Sequence, residues 1–387
     1  MRPVLLPGRD GQLHPYHPKG PGPWPPQAVP ARSRRAFAAA HVVGDARLSS
    51  AGGGPVHLDW QATLAYRHHL WSLGLSVAEA MDTAQRGMGL DWDASRELIR
   101  RSAAEARAVG GGLACGAGTD HLTGAPSVER VGDAYLEQCA FIESQGAQIV
   151  LMASRALAAC ARRTEDYARV YGRVLGQVSR PVILHWLGEA FDPALVGYWG
   201  APTPEVAVDA CLGIIRAHAA KVDGIKVSLL DAGLEVALRR RLPPGVRLYT
   251  GDDFHYPELI AGDAHGHSDA LLGIFDAIAP AAAAAALGAL DAGDVPRFAA
   301  ILEPTVPLAR HFFAAPTFHY KTGIVFLAHL NGHQSHFRMV GGMESARSVL
   351  HLSELFILAD EAGLIVDPEM AAERMVRFLA TAGIEAR

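Results

Sequence analysis

Val222-Asp223-Gly224-Ile225-Lys226-Val227-Ser228-Leu229-Leu230 is the stretch on which the reading of this chain turns. It is short and mostly apolar, the pattern of a buried strand. One lysine sits in its middle. The chain has only four lysines, Lys19, Lys221, Lys226 and Lys321, against a large arginine complement, so arginine carries most of the surface charge. A lysine inside a barrel is costly to keep charged. Its ammonium loses hydration, its pKa falls, and a neutral amine becomes available as a nucleophile. The plainer reading is an edge lysine whose stem packs on the protein while its head reaches water.

Outward from this strand, short apolar runs alternate with helical patterns. Strands are expected in 35–43, 110–116, 147–152, 181–186 and 246–251, and in a last strand or loop over 264–272. Helices are expected over 59–74, 94–109, 131–146, 165–178, 204–220 and 233–241, with Gly74 as one stop signal. The second strand lies somewhere in 76–90, where the pattern looks helical. Alternation of this kind, about eight times over roughly 250 residues, predicts an α/β fold, a (β/α)8 TIM barrel. The alternative is a doubly wound sheet, but no Gly-x-Gly-x-x-Gly follows the first strand. Three parts are expected: a proline-rich N-terminal arm over 1–33, the barrel over 34–285, and a C-terminal helical extension over 286–387. The arm carries Pro21, Pro23, Pro25, Pro26 and Pro30, a composition that forms neither helix nor sheet core. It is expected to lie on the body or on a neighbouring subunit.

The chain of 387 residues is half hydrophobic, with a formal net charge of −5. No basic tract or arginine-aromatic interleaving points to nucleic acid, and no apolar run is long enough to span a membrane. The N-terminus has no apolar signal core. Cys115, Cys139, Cys160 and Cys211 are scattered in mostly apolar contexts, as reduced thiols of a cytoplasmic protein would be.

In a TIM barrel, reactive groups gather at the C-terminal ends of the strands. Those ends supply His41 and Asp45; Thr119, Asp120 and His121; His185, Trp186 and Glu189; Lys226 and Ser228; Asp252, Asp253 and His255; and, from the last segment, His265, His267, Ser268 and Asp269. A lone His or Asp at such a place is more often a cap or a loop hydrogen bond, and Asp252-Asp253 reads equally as a turn start.

The pattern Gly224-Ile225-Lys226, with Arg180-Pro181-Val182-Ile183-Leu184 before it, resembles the dihydrodipicolinate synthase and N-acetylneuraminate lyase family of class I aldolases. Thr250-Gly251-Asp252-Asp253, Ala264-His265-Gly266-His267-Ser268, Pro280 and Leu58-Asp59 resemble further stretches of that family. The resemblance runs from about residue 35 to the C-terminus and implies a TIM barrel with Lys226 as the Schiff-base lysine. It also implies a small-molecule substrate and a homodimer or homotetramer. Two departures stand out. The family's Tyr-Asn-x-Pro on the fifth barrel strand is replaced by His185-Trp186-Leu187-Gly188, which puts His185 where a tyrosine shuttles protons. Its Gly-Thr-Thr-Gly-Glu after the second strand, whose threonines hold a pyruvate carboxylate, has no counterpart; the nearest stretch, Gly87-Met88-Gly89-Leu90, carries no hydroxyls.

The expected chemistry is an aldolase-type lyase acting on a keto acid or keto-sugar. Lys226 forms an iminium that serves as electron sink, and His185, titrating near neutrality, moves the protons. Asp252, Asp253, His255, Asp120, His121, Glu189, His265 and His267 are expected to bind a polyhydroxylated substrate. No cofactor beyond the covalent imine is required. The competing expectation is a metal-dependent isomerase, epimerase or hydrolase, with a divalent ion held by the histidines and carboxylates of this set. Position 185 is the pivot, because a shift of one residue turns Trp186 inward instead.

Overall fold

The computed structural model describes residues 3–24, 30–49 and 54–385. Ten strands run as β1 (Val4–Pro7), β2 (Leu13–Tyr16), β3 (Ala36–Ala39), β4 (Ser76–Glu79), β5 (Leu113–Ala117), β6 (Gln148–Leu151), β7 (Val182–Leu187), β8 (Val222–Ser228), β9 (Arg247–Thr250) and β10 (Asp269–Leu272). Between and after them come α1 (Trp60–Ser72), α2 (Trp92–Val109), α3 (Val128–Ser144), α4 (Arg155–Cys160), α5 (Thr164–Gln177), α6 (Pro204–Ala217), α7 (Ala232–Arg239) and α8 (Tyr256–Ala261). The chain then continues as α9 (Ile274–Ala277), α10 (Ala279–Asp291), α11 (Val295–Leu302), α12 (Val306–Phe312), α13 (Tyr320–Leu330), α14 (Val349–Glu361) and α15 (Pro368–Thr381).

Strands β3 to β10 close into one parallel barrel, with β10 pairing back onto β3. The expected TIM barrel with C-terminal helices is therefore the fold. Strand period sorts the side chains. Phe37, Ala39, Ala78, Ala114, Val150, Ile183, Tyr249 and Leu271 fill the interior, while Leu184, Trp186, Ile225 and Val227 face the helical shell. Gly224 is required by that filling: a Cβ there would meet the Arg247 carbonyl oxygen and the Tyr249 ring, each at 2.7 Å. Several helices begin on side-chain caps, Asp59 for α1, Asp91 for α2, Ser127 for α3 and Thr203 for α6.

The second barrel strand is only Ser76–Glu79. Its helix-like look comes from Glu79, a charge that is wholly buried because Arg67 of α1 grips it with two bonds of 2.9 and 2.8 Å and Ser102 adds one of 2.6 Å. The chain then turns through Ala80, whose φ of 53° is uncommon for a residue with a side chain, into a short 3₁₀ turn over Asp82–Ala84.

The last strand begins later than expected, at Asp269. Before it, Asp263 and Gly266 close a small turn, in which the Asp263 N–H donates to the Gly266 carbonyl at 2.8 Å. His265 and His267 therefore stand at the N-terminal end of the barrel, exposed and on the face away from the strand C-termini.

The arm also differs from expectation. Residues 4–16 form an antiparallel hairpin, with Val4 opposite Tyr16, and Val4 and Leu6 are buried against the C-terminal helices. Beyond it the chain is fastened by Asp360 of α14. That carboxylate is 1% exposed and accepts from the Tyr16 hydroxyl at 2.7 Å, the Lys19 N–H at 2.8 Å and the Gly20 N–H at 3.1 Å. The arm and α14 thus cover each other within one chain, so neither needs a second subunit for that purpose. Pro25 and Pro26 lie outside the described residues. All four cysteines are free, and among the described residues no helix is long and apolar enough to cross a membrane.

Candidate active site

Lys226 projects from β8 into the barrel and is 4% exposed. Its neighbours across the sheet are His185 on β7 and Tyr249 on β9. Room for the lysine stem is made by Gly251, immediately after β9. A Cβ at that position would lie 2.7 Å from Lys226 Cε and 2.2 Å from Ser228 Oγ. The glycine of the Thr250-Gly251-Asp252-Asp253 stretch therefore has a steric reason.

Four titratable groups share this space, and their environments set them apart. Burial lowers the pKa of Lys226, against the pull of the Asp82 and Asp253 carboxylates. Burial, reinforced by the Lys226 charge, holds His185 well below the ordinary imidazole value. Its Nε2 meets Ser228 Oγ at 3.2 Å, and its Nδ1 is buried without a hydrogen-bond partner. Burial alone would raise Asp82, yet Lys226, Lys321 and His185 together bring it below the usual carboxylate range. In Asp253 burial wins and pushes the carboxyl up, although its Oδ1 accepts the Ile274 N–H at 2.9 Å. Two carboxyls near one lysine, Asp82 half-buried and Asp253 buried, are thus driven in opposite directions, Asp82 towards the anion and Asp253 towards the acid.

A pocket of about 360 Å³ opens beside Asp82 and His185, lined also by Arg86, Asp120, Arg155 and Lys321. Arg86 is fully engaged: it binds Asp120 with bonds of 3.0 and 2.6 Å and the Gly116 carbonyl at 2.5 Å. The C-terminal extension completes the wall. Tyr320, the first residue of α13, donates its hydroxyl to Asp82 Oδ2 at 2.6 Å and meets Thr83 Oγ1 at 2.6 Å. Lys321 follows it into the pocket.

Lys226, His185 and Asp253 lie together inside the barrel, and Asp120 lines the pocket with His185. Asp252 lies beside them but is spent on local structure, accepting from the Phe254 N–H at 2.8 Å, the His255 N–H at 3.1 Å and His255 Nδ1 at 2.9 Å. His255 is held by that bond. His121 is turned towards Gln138, at 2.7 Å, and Trp92. Glu189 is exposed beyond the end of β7. His265 and His267 are at the far end of the barrel, so a role at this mouth is corrected for both. His41 has both ring nitrogens occupied, by Asp276 at 2.6 Å and Gln334 at 3.2 Å. Among the described residues no three His, Cys, Asp or Glu side chains are grouped to hold a metal ion.

Asp82, Thr83, Arg86, Arg155, Tyr320 and Lys321 escaped sequence reasoning. The segment directly after the second strand is Met81-Asp82-Thr83-Ala84-Gln85, ahead of the Gly87–Leu90 stretch singled out from sequence. A strand end placed at Glu79 would have pointed to it.

Comparisons with known proteins bear on the family and the fold. A family model described as "Protein of unknown function (DUF993)" matches residues 4–384, and the chain belongs to that family. No curated protein matches the sequence. Among solved structures, a putative dihydrodipicolinate synthetase from Pseudomonas aeruginosa superposes with a TM-score of 0.65 at 17% identity, covering 85% of this chain and 99% of that one. The dihydrodipicolinate synthase of Thermotoga maritima gives 0.63 at 14% identity, covering 86% of this chain and 100% of that one. The Acinetobacter baumannii enzyme, complexed with pyruvate, gives 0.62 at 16% identity, covering 86% and 100%. At these identities the likeness establishes a shared fold.

Proposed function

We propose that this member of the DUF993 family is a class I aldolase-type lyase that forms a Schiff base between Lys226 and a keto-sugar or keto acid. The observation that carries the proposal is the buried Lys226, its basicity lowered, between two carboxyls driven to opposite protonation states. Environments that separate two like groups assign an acid and a base.

The sequence of steps follows from those states. Neutral Lys226 Nζ adds to the substrate carbonyl carbon, and the oxygen takes up a proton to give a carbinolamine. Asp253, held as the acid, donates to the departing hydroxyl, and water leaves as the iminium forms. Asp82, held as the anion, removes the proton of a substrate hydroxyl. As that oxygen becomes a carbonyl, the bond between its carbon and the α-carbon of the iminium breaks, the carbonyl fragment departs, and the electron pair passes into the iminium to give an enamine. Protonation of the enamine carbon and hydrolysis return the amine. His185, neutral and in contact with Ser228, exchanges protons with the nitrogen and oxygen of the carbinolamine. An anion at Asp82 favours a substrate that presents a hydroxyl over one that presents a carboxylate, and hence a keto-sugar over pyruvate.

The test is borohydride trapping. The protein is incubated with keto acids, keto-sugars and sugar acids, reduced, digested and mapped by mass spectrometry. An adduct on the Lys226 peptide, lost in Lys226→Ala, is expected. No adduct across the panel overturns the mechanism. Assembly as a homodimer or homotetramer, which the resemblance implies, is measured separately by sedimentation equilibrium.

A further inference from the structure

Lys321 is as deeply buried as the proposed nucleophile, at 1% exposure, yet the mechanism above gives it no task. Its Nζ has three protons to donate and contacts Met88 Sδ at 3.1 Å, a weak acceptor. The nearby Asp82 Oδ2 is already taken by the Tyr320 hydroxyl. Across the turn at Gly87 and Met88 stands a second cation. Arg155 is tied to Asp192 through Nε at 2.5 Å, which leaves the outer fork of its guanidinium directed elsewhere. A Cβ on Gly87 would be 3.4 Å from Arg155 Nη1 and 3.6 Å from Nη2, so the fork lies against that turn. Both cations line the same pocket as His185 and Asp82. Burial, and the Arg155 charge with it, draws the Lys321 pKa down to about 8, which an arriving anion would reverse. Two like charges facing one gap, one of them buried against a thioether and the Tyr320 ring 5.0 Å away, leave a place for negative charge.

We propose that Lys321 and Arg155 form a receptor for an oxyanion carried by the substrate, remote from the carbonyl that Lys226 attacks; the assignment rests on the Schiff-base reading. Lys321 supplies a point charge and Arg155 a planar fork, a pairing that suits a carboxylate or a phosphate monoester. The substrate class narrows accordingly to a keto-sugar bearing an acid or phosphate at its far end.

Two probe pairs differ in that charge: levulinate against methyl levulinate, and dihydroxyacetone phosphate against dihydroxyacetone. Wild-type protein is expected to be trapped at least about tenfold better by a charged member than by its neutral counterpart, the effect of one charge-assisted hydrogen bond. Lys321→Met is expected to erase the preference while still trapping the neutral probes. Preference for levulinate assigns a carboxylate, and for dihydroxyacetone phosphate a phosphate. Arg155→Gln, on a side chain 54% exposed, repeats the test where Lys321→Met does not fold. The same probes are titrated calorimetrically into Lys226→Ala, which forms no imine. Selective binding of a charged probe there, with no adduct on wild type, sinks the Schiff-base reading and leaves the receptor standing. Equal behaviour of charged and neutral probes in both assays overturns the receptor, as does a preference that survives Lys321→Met and Arg155→Gln.

Discussion

Replacing Gly251 by alanine tests how closely the nucleophile is packed. The new methyl would sit 2.2 Å from Ser228 Oγ, 2.7 Å from Lys226 Cε and 2.8 Å from the Val227 carbonyl oxygen, where ordinary contact begins near 3.4 Å. None of the three can yield freely. Ser228 is held by His185 at 3.2 Å. The Val227 carbonyl accepts the Gly251 N–H at 2.8 Å, so moving the backbone apart breaks the β8–β9 ladder. What remains is displacement of the lysine stem. Overpacking of this kind costs about 1–3 kcal/mol. A reacting group moved by about 1 Å loses roughly a hundredfold in rate. The same substitution at Gly213, exposed in the middle of α6 with nothing within 4 Å of an added Cβ, is the control. It should stabilise by about 0.5–1 kcal/mol, because alanine is the better helix residue. Thermal unfolding and the time course of borohydride adduct formation are measured for both variants. Gly251→Ala should lose stability and slow trapping by about two orders of magnitude, while Gly213→Ala gains stability at wild-type trapping rate. Wild-type trapping by Gly251→Ala, or stability shifts of the same sign in the two variants, refutes the packing argument.

Other consequences are open to measurement. Lys226→Ala should abolish the adduct with the circular dichroism spectrum unchanged; retained turnover eliminates the imine. His185→Phe should slow turnover while adduct formation survives, and loss of the adduct would require a different role for His185. The Lys321 pKa of about 8 lies below the ordinary lysine value of 10.5. The unfolded state therefore holds more protons between those values, and stability rises with pH across that window by up to roughly 3 kcal/mol at 1.36 kcal/mol per unit. Wild type should gain that much on Lys321→Met between pH 8 and 10.5, and parallel profiles of the two proteins contradict it. Asp360→Ala strands three donors of the arm and should cost roughly 1.5–3 kcal/mol, seen as faster amide exchange over residues 13–22; unchanged protection there would mean the hairpin is held by apolar contact alone.

The barrel was legible because its strands are short apolar runs separated by capped helices, and because β8 and β9 carry their sequence signals at their own C-terminal ends. Lys226, His185 and Asp253 came with it, since strand period alone decides that residues 185 and 226 point inward together. Two misreadings have a common physical origin. Glu79 hid the end of β4, because its charge is cancelled by Arg67, a partner twelve residues upstream that no local pattern reveals. With that end lost, Asp82 and Thr83 were lost too. His265 and His267 were set at the wrong end of the barrel because the apolar run that defines β10 is only Asp269–Leu272, and moving a strand start by five residues exchanges one mouth for the other. Lys321 was illegible for a different reason. It opens an apolar helix far along the chain, and only the docking of α13 over β4 brings it to the site.

That docking divides the pocket between two separately encoded pieces. Lys226 and the carboxyls near it belong to the repeating strand-turn-helix body, whereas Tyr320 and Lys321 arrive on the first turn of an appended helix. A lineage can therefore exchange what it selects by altering the appendage, while the bond-making centre stays fixed in the ring of strands. During synthesis the order is equally unequal: the ribosome releases Lys226 nearly a hundred residues before Lys321, and the wall of the pocket closes only when the late helix has been made.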